Sequence, residues 1–561
     1  MSENKPQNID DGLEVTYRIP VERFQYADEL SAENRKLRKG SHVLGIVLVV
    51  TSLLMFLFGW GVGSFRPLPF SNNIRHGVAN ATTVDASAKI ESVMTIMEKY
   101  WYFAPGIENL DTRLTDQALF GITSNEEDPH TQYMTSEEIE QFTQNINRNF
   151  VGIGVQFQSA QDGMHIITRV FRDSPAEKAG VLPGDIIHAV NGTVVDGMDS
   201  SEIKELVQGE EGTKVNMTFL RDGKTLEISI TRGQISHTVD AEIMEGNIGY
   251  MSLAQFGEST GTEVREMLDQ FKKEGASRLI IDLRDDGGGY LDALKDVLNC
   301  FLPADTVFIL REYTDGTKEE NRTSGGKYQF VDGIVLLVND STASASEAFT
   351  MAMKEKRDDV TIIGTKTYGK GSVQITRYFN DGSALKYTDS AWKSPSGVWV
   401  NNTGIEPDET VELHPVLSAE YKEMEEDAAF GYDTVSRETE IAQMCLDFLG
   451  YESMRKDGYF DKRTEEALKE FQKKLELDET GVLDRTSYDT LISQTVYEWY
   501  TDKSRDTQLM RALELLRNRT AGAAKAEVSE APSAAVKIDH SQIMMEETAV
   551  QAIRTDRDGI I

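Results

Sequence analysis

The chain has 561 residues, 39% of them hydrophobic and 27% charged, a composition of soluble globular domains. At roughly 100–200 residues per domain, three to five modules are expected. The 93 acidic and 58 basic side chains leave a formal net charge of −35. That excludes a general nucleic-acid binder, because phosphate contacts need clustered Lys and Arg. Two cysteines, Cys300 and Cys445, cannot build a disulfide framework or a Cys-ligated zinc site, and both are expected as small core residues.

Residues 1–41 are polar and read as a disordered cytoplasmic arm. His42 to Gly63 carries no formal charge. As a helix rising 1.5 Å per residue, it would span about 33 Å, enough to cross the hydrocarbon core of a membrane. Residues 42–64 are therefore expected to form a transmembrane anchor. Arg35, Lys36, Arg38 and Lys39 precede it and only Arg66 follows closely. The positive-inside rule then keeps the N-terminus in the cytoplasm and exports the rest. A cleaved signal peptide is the alternative, against which stand the length of the apolar run and of the segment before it.

Residues 65–148 carry helical periodicity. Ile90, Val93, Met94, Met97 and Tyr100 recur at three and four residues. A second helix is expected in MTSEEIEQFTQNI, capped by Thr135 or Ser136. Such helices are expected to pack within the chain. Partner docking or dimerisation is the alternative, so a homo-oligomer stays open.

Residues 149–234 change to short strands and turns. FVGIGVQF and MHIITRVF read as strands, and VNMTFLRDGKTLEISITR reads as a hairpin around Asp222-Gly223. Between them run Ala179-Gly180-Val181-Leu182-Pro183-Gly184-Asp185-Ile186-Ile187 and Asn191-Gly192. These residues resemble the core signature of a PDZ domain. The resemblance implies that a peptide adds as a strand to a sheet edge and that backbone N–H groups hold its C-terminal carboxylate. It places that carboxylate site at Gly152, Ile153 and Gly154.

Residues 235–415 read as α/β. NIGYMSLAQF, RLIIDLR, GIVLLVND and VTIIGT are expected strands, and TEVREMLDQFKKEG and SASEAFTMAMKEKR expected helices. Residues 432–496 form a small helical unit in which Leu468, Phe471 and Leu475 share a face. LGY, DGYF, the run from Thr464 to Gln472, and GVLD resemble a short peptidoglycan-binding domain. Asp461 stands where that pattern has glycine. Residues 497–519 read as a further helix, and 520–561 as a disordered tail.

No HExxH motif is present, so a zincin lacks support. Two constellations remain. In IIDLRDDGGGYLD a strand runs into three glycines, and in NDSTASASEAF a strand runs into Ser344 at a helix start. Lys370 follows the strand VTIIGT between Gly369 and Gly371, and Gln374 lies four residues further. Together with DPHTQYMTSEEIEQF and SPSGVWVNNTGIEPDETV, these resemble the C-terminal processing (tail-specific) peptidases over about residues 82–412.

The resemblance implies Ser344 as nucleophile, Lys370 as general base and Gln374 as the residue that positions Lys370. It implies an oxyanion hole of Gly288 or Gly289 with the Ala345 N–H, and no metal or cofactor. A lysine serving as base needs its pKa lowered by about three units from 10.4, which burial can supply. Glu347 is expected to point along the helix, away from Lys370. The Ser-to-Lys spacing is one longer than the family pattern, so a bulge is expected around Lys356–Asp359.

The expected whole is a multidomain bacterial protein: an α/β (α+β) protease core with an inserted PDZ-like β domain, a small all-α peptidoglycan-binding-like domain and one N-terminal transmembrane helix. It would cleave protein substrates with apolar C-terminal tails outside the cell, attached to membrane and peptidoglycan. An inactive tail-binding and peptidoglycan-binding scaffold and a hydrolase of non-peptide esters are the rival readings. The chain's own end, Asp558-Gly559-Ile560-Ile561, is apolar and could occupy the PDZ-like groove.

Overall fold

The computed structural model describes residues 86–159, 163–221, 224–326, 328–421, 424–425, 427–518 and 558–560. The arm 1–41 and the anchor 42–64 lie outside them. Among the described residues no helix is long and apolar enough to cross a membrane.

Four short apolar runs build the core sheet. Ile248–Leu253, Arg278–Asp282, Gly333–Val338 and Val360–Gly364 pair in parallel, in that order. Val239–Met244 adds antiparallel at one edge and Glu409–Thr410 parallel at the other. All six residues of Gly333–Val338 are buried, as both faces of a parallel sheet must be covered. Ile334, Leu336 and Val338 join the cluster formed by helices Thr260–Glu274, Leu291–Leu298 and Ala345–Lys356. Val335 and Leu337 point the other way, onto Leu509, Ala512, Leu513 and Leu516 of helix Thr507–Asn518. Side chains alternating across a strand thus demand two covers. The second comes from far along the chain.

That second cover changes the expected ending. The boundary between 496 and 497 falls inside helix Arg485–Thr501, which has no breaker before its C-terminal residue Asp502. A short turn, Lys503–Arg505, leads to Thr507–Asn518. A second sheet of the core was not anticipated at all. It orders Gln132–Met134, Ala384–Lys393, Val307–Tyr313 and Lys318–Arg322, with Ser372–Tyr378 also paired to Ala384–Lys393. The expected bulge at Lys356–Asp359 is absent. Helix Ala345–Lys356 passes through three residues to Val360, and Arg357 holds Asp359 and the carbonyls of Phe301 and Val331.

The PDZ-like unit enters and leaves through a two-stranded stem, Asn149–Gly152 against Gly233–Ser236. Its sheet runs in the order Val155–Ser159, His165–Val170, Ile186–Val190, Lys214–Arg221, Lys224–Thr231. The last two strands form the anticipated hairpin, closing at Arg221 opposite Lys224. Val155, Phe157, Ile187, Phe219, Ile203 and Val207 are its fully buried core. Asp558–Ile560, expected in a disordered tail, pairs with the edge strand Val155–Ser159.

The small helical unit packs Arg437–Phe448, Lys462–Lys474 and Arg485–Thr501 around Phe460, Phe471 and Tyr488. Asp461, in the glycine position, caps the second helix by accepting the Thr464 N–H at 2.9 Å. Cys445 is buried there and Cys300 in the α/β core, both as free thiols. Burial pushes the Cys445 thiol up to about 12.

Helix Ala86–Tyr100 does not pack as expected. None of its residues is buried, and Ile90, Val93, Ile96 and Tyr100 are exposed. Its apolar face finds no complementary surface among the described residues. Helix Ser136–Asn147 does carry the expected cap, with the Glu138 N–H on Thr135 Oγ1 and the Thr135 N–H on Glu138 Oε2.

Two contacts lock the units together. Val496 and Tyr497 pack on Met164, Ile166, Ile186 and Leu220, the outer face of the PDZ-like sheet. Arg284, buried at the end of a core strand, donates to Asp282 at 2.6 Å, to Asp506 at 2.8 Å and to Gln508 at 3.0 Å. Burial works against the Asp282 carboxylate, but Arg284 holds it below the usual range. Asp506→Ala removes two hydrogen bonds donated by Arg284, which Asp282 still pairs, and is expected to destabilise the protein by about 2 kcal/mol. Denaturant unfolding at neutral pH, compared with an exposed control such as Asp315→Ala, measures the difference.

Candidate active site

Three loops meet at the C-terminal ends of three parallel strands, where open α/β sheets place their sites. They follow Arg278–Asp282, Gly333–Val338 and Val360–Gly364. Backbone and side chains stitch them together. Thr342 Oγ1 donates to the Leu283 carbonyl at 2.8 Å, and the Ala343 N–H donates to the Asp286 carbonyl at 3.0 Å. The Tyr368 N–H donates to the Thr342 carbonyl at 3.1 Å. Asn339 and Asp285 close a further ring, with the Asp285 N–H on Asn339 Oδ1 and Asn339 Nδ2 on Asp285 Oδ1.

Ser344 sits at the junction of strand loop and helix with φ 57° and ψ −115°. This is a strained conformation for a residue with a side chain, of the kind that persists only where the surroundings enforce it. Glu347 does much of the enforcing. Its carboxylate is fully buried and accepts the Ser344 N–H at 2.9 Å, Thr367 Oγ1 at 2.6 Å, the Gly369 N–H at 2.8 Å and the Lys370 N–H at 2.8 Å. The expectation that Glu347 points along the helix is corrected. At the third helical position a glutamate folds back to the cap, and here it also reaches the next loop.

The segment Gly369-Lys370-Gly371 is likewise pinned. Trp392 Nε1 donates to the Lys370 carbonyl at 2.8 Å, Trp399 Nε1 to the Gly371 carbonyl at 2.9 Å, and the Asn402 N–H to the Gly369 carbonyl at 2.8 Å. A lysine on a loose surface loop would have none of these. Among the described residues Lys370 Nζ has no hydrogen bond and no ion pair, including with Ser344 Oγ. Burial, then the positive charge of Lys386, push its pKa down, against weaker opposition from Asp128 and Glu347.

Gly288 and Gly289 adopt φ of 98° and 151°, both reserved for glycine. A Cβ at Gly288 would lie 2.7 Å from the Ala345 nitrogen and 2.9 Å from Ser344 Cβ. A Cβ at Gly289 would lie 2.2 Å from the Phe256 carbonyl oxygen. The first approach brings Gly288 against Ser344, and the second packs Gly289 on the Phe256 backbone. The Gly288 N–H is already taken by Asp286 Oδ1 at 2.8 Å. The N–H groups of Gly289 and Ala345 have no partner among the described residues. Beneath them Asp286 is fully buried, and burial pushes its carboxyl up to about 7, opposed by the Gly288 N–H, Ser346 and Arg148. Ser346 Oγ lies near enough to lower that value, yet neither it nor Asp286 Oδ2 makes a hydrogen bond of normal geometry.

Gln374 is not brought to the Lys370 amine. Its Nε2 donates to Ser372 Oγ at 2.9 Å and Thr388 Oγ1 at 3.0 Å. A register shift between Val373 and Gln374 alters the alternation of that strand. The three residues predicted to hold a carboxylate lie elsewhere, where strand Asn149–Gly152 leads into strand Val155–Ser159. Among the described residues the N–H groups of Ile153 and Gly154 have no partner, while their carbonyls accept from Ala176 and Phe171. Glu347, Thr367, Asp286 and Lys386 are site residues that sequence reasoning missed. The S-x-x-E spacing of Ser344 and Glu347 was the one visible signal, and it was read only as a helix feature. Among the described residues no cluster of His, Cys, Asp or Glu could hold a metal ion.

The chain matches the family model of peptidase family S41 over residues 247–411. It matches the PDZ domain over 166–221 and the peptidoglycan-binding domain over 436–491. The carboxy-terminal processing protease CtpA of Bacillus subtilis is 34% identical over 409 residues, covering 72% of this chain and 86% of that protein. A protein of Staphylococcus haemolyticus named "Probable CtpA-like serine protease" is 34% identical over 378 residues, covering 66% of this chain and 75% of its own. One of the same name from Staphylococcus saprophyticus is 31% identical over 487 residues, covering 86% and 95%.

Removing the Glu347 carboxylate leaves four donors facing an empty space. Glu347→Ala is expected to lower peptidase activity at least about 100-fold and to cost about 3 kcal/mol of stability. Glu347→Gln, which keeps an acceptor, should recover most of the stability but little of the rate. Thermal unfolding and peptidase assays on the same preparations separate the two effects.

Proposed function

The chain belongs to peptidase family S41, the serine-type C-terminal processing peptidases, and from that premise we propose a membrane-anchored endopeptidase of the cell exterior that uses a Ser344–Lys370 dyad. The observation that carries the proposal is the shared Glu347 carboxylate, which holds the Ser344 and Lys370 backbones on one group beside two unpaired N–H donors. Ser344 Oγ attacks the scissile carbonyl and Lys370 Nζ, neutral when the bond is broken, takes its proton. The N–H groups of Gly289 and Ala345 receive the oxyanion, and one such donor is typically worth about 10²–10³ in rate. The start of helix Ala345–Lys356 adds its positive end. Lys370 then protonates the leaving amine, and water, deprotonated by the same lysine, releases the acyl group.

In this reading the PDZ-like groove takes the free C-terminus of protein substrates, with the Ile153 and Gly154 N–H groups on the carboxylate. The stem Asn149–Gly152 with Gly233–Ser236 joins the groove directly to the core, so peptide binding can bias the dyad. The helical unit retains the enzyme at peptidoglycan, and residues 42–64 span the membrane with the N-terminus inside. No observation favours an inactive scaffold.

Cleavage of an unfolded protein ending in an apolar free carboxylate is expected, with slower cleavage of the same protein amidated at its end. Ser344→Ala and Lys370→Ala should each remove the activity. Retained cleavage in either variant, measured by gel or mass spectrometry, refutes the dyad.

The pH dependence follows from the burial of Lys370. Activity should rise with pH as Lys370 loses its proton, with an apparent pKa below that of an ordinary lysine, about 10.4. Lys386 is a positive charge that lowers the pKa of Lys370. Lys386→Gln should therefore move the rising limb of kcat/KM to higher pH and reduce the rate at neutral pH. An unmoved limb contradicts Lys370 as the base.

A further inference from the structure

Arg148 joins helix Ser136–Asn147 to the stem strand Asn149–Gly152, and it does so with φ 45°. Helices that end in this left-handed conformation usually do so on glycine, so an arginine is kept here against a backbone cost. The residue is partly buried. Among the described residues its guanidinium has no hydrogen bond and no ion pair. Other arginines of the core and the PDZ-like unit are paired: Arg169 with Asp240, Arg221 with Asp185, Arg284 with Asp282 and Arg357 with Asp359.

The packing puts Arg148 beside the candidate active site. Asn147 Oδ1 accepts the Glu258 N–H at 3.1 Å, and a Cβ on Gly257 would lie 2.9 Å from the Ile146 carbonyl oxygen. The adjoining Phe256 donates its N–H to the Gly288 carbonyl at 2.9 Å and accepts the Tyr290 N–H at 2.8 Å. One loop therefore separates the end of the helix from the turn that carries the Gly289 N–H. Two carboxyl groups, Asp286 and Asp240, and one cation, Arg169, act on the guanidinium. Asp240 is taken by Arg169. Asp286 is fully buried and its carboxyl is pushed up to about 7, so near neutral pH it carries only part of a negative charge. Burial, then the Arg169 charge, push the Arg148 guanidinium down to about 10, the direction expected of a cation short of a counter-ion.

A charge withdrawn from water without a partner is unfavourable, and an incoming anion relieves it. The planar guanidinium fits a carboxylate through two parallel hydrogen bonds. We propose that Arg148 is a binding site for a carboxylate of the peptide substrate, selecting an acidic side chain close to the bond that Ser344 attacks. The proposal rests on the reading of this site as a peptidase. It adds a charge preference at the cleaved bond to the tail preference assigned to the PDZ-like unit. The two preferences are independent, because Arg148 lies on the core side of the stem and the carboxylate loop Gly152-Ile153-Gly154 at its far end.

The test uses the full chain in mild detergent. The scissile bond of an unstructured peptide is first mapped by mass spectrometry, with Ser344→Ala as the blank. Glu or Gln is then placed in turn at each position flanking that bond. At one position Glu should raise kcat/KM over Gln about tenfold, the worth of a charge-assisted pair. In Arg148→Gln that ratio should fall to about one, and Arg148→Lys should restore part of it. Thermal unfolding of Arg148→Gln should match or exceed that of the native chain, because no native pair is lost. The same peptides amidated at their ends separate the two sources of carboxylate. A preference that vanishes on amidation identifies the terminal carboxylate as the ligand and overturns the side-chain assignment. Equal rates with Glu and Gln at every position overturn the proposal, as does a preference that survives in Arg148→Gln. A clear fall in the unfolding temperature of Arg148→Gln gives the residue a structural role instead and also overturns it. No cleavage of any peptide by the native chain overturns the peptidase reading and the proposal with it.

Discussion

The candidate site depends on one buried carboxylate. Glu347 belongs to the helix that begins at Ser344, and its partners belong to the loop that carries Lys370. A charged group with no solvent contact must be satisfied by donors that stay in place. Four donors supply this, and each lies on a segment whose position the proposed chemistry requires. The same requirement explains the strained backbone at Ser344. The Ser344 N–H is held by the carboxylate, and its Cβ side is closed by Gly288. A serine with room to relax would leave that conformation. The burial that makes Glu347 a rigid anchor also disfavours the charge on Lys370. Structural and chemical demands on the pocket therefore coincide.

The sheet that carries these loops is completed by the chain's far end. Its second face would be open without helix Thr507–Asn518, and the helix is locked in register by Arg284 between Asp282 and Asp506. Asp282 is the last residue of a core strand, two positions before that arginine. The helical unit, the PDZ-like unit and the core therefore share one support. Val496 and Tyr497 hold the PDZ-like sheet, and Asp506 and Leu509 hold the core. A shift of the helical unit would be felt at both.

The PDZ-like unit brings an unprotected edge into this arrangement. Most proteins blunt such edges with charges, bulges or covering segments. Here strand Asp558–Ile560 pairs with that edge.

Local patterns in the sequence were enough for most core strands and helices, because these rest on short-range rules such as period-two apolar runs and helical spacing. The modules and the residues Ser344, Lys370, Gly288, Gly289 and Ala345 were singled out by family resemblance, since a glycine turn or a serine at a helix start has no single meaning by itself. The second sheet of the core escaped because its strands are half-exposed and mixed in polarity, with no strong period. The roles of Glu347, Thr367 and Lys386 escaped because they arise from interactions between segments well separated along the chain, as between Glu347 and the loop of Thr367 and Gly369. The same holds for Gln374, whose side chain follows a register shift that no local pattern announces, and for Asp506, whose partner lies 222 residues away. Sequence by itself determined which elements form and which residue types could react. Only the tertiary structure decided which of them meet, because hydrogen bonds and burial depend on neighbours that the fold, not the chain order, supplies.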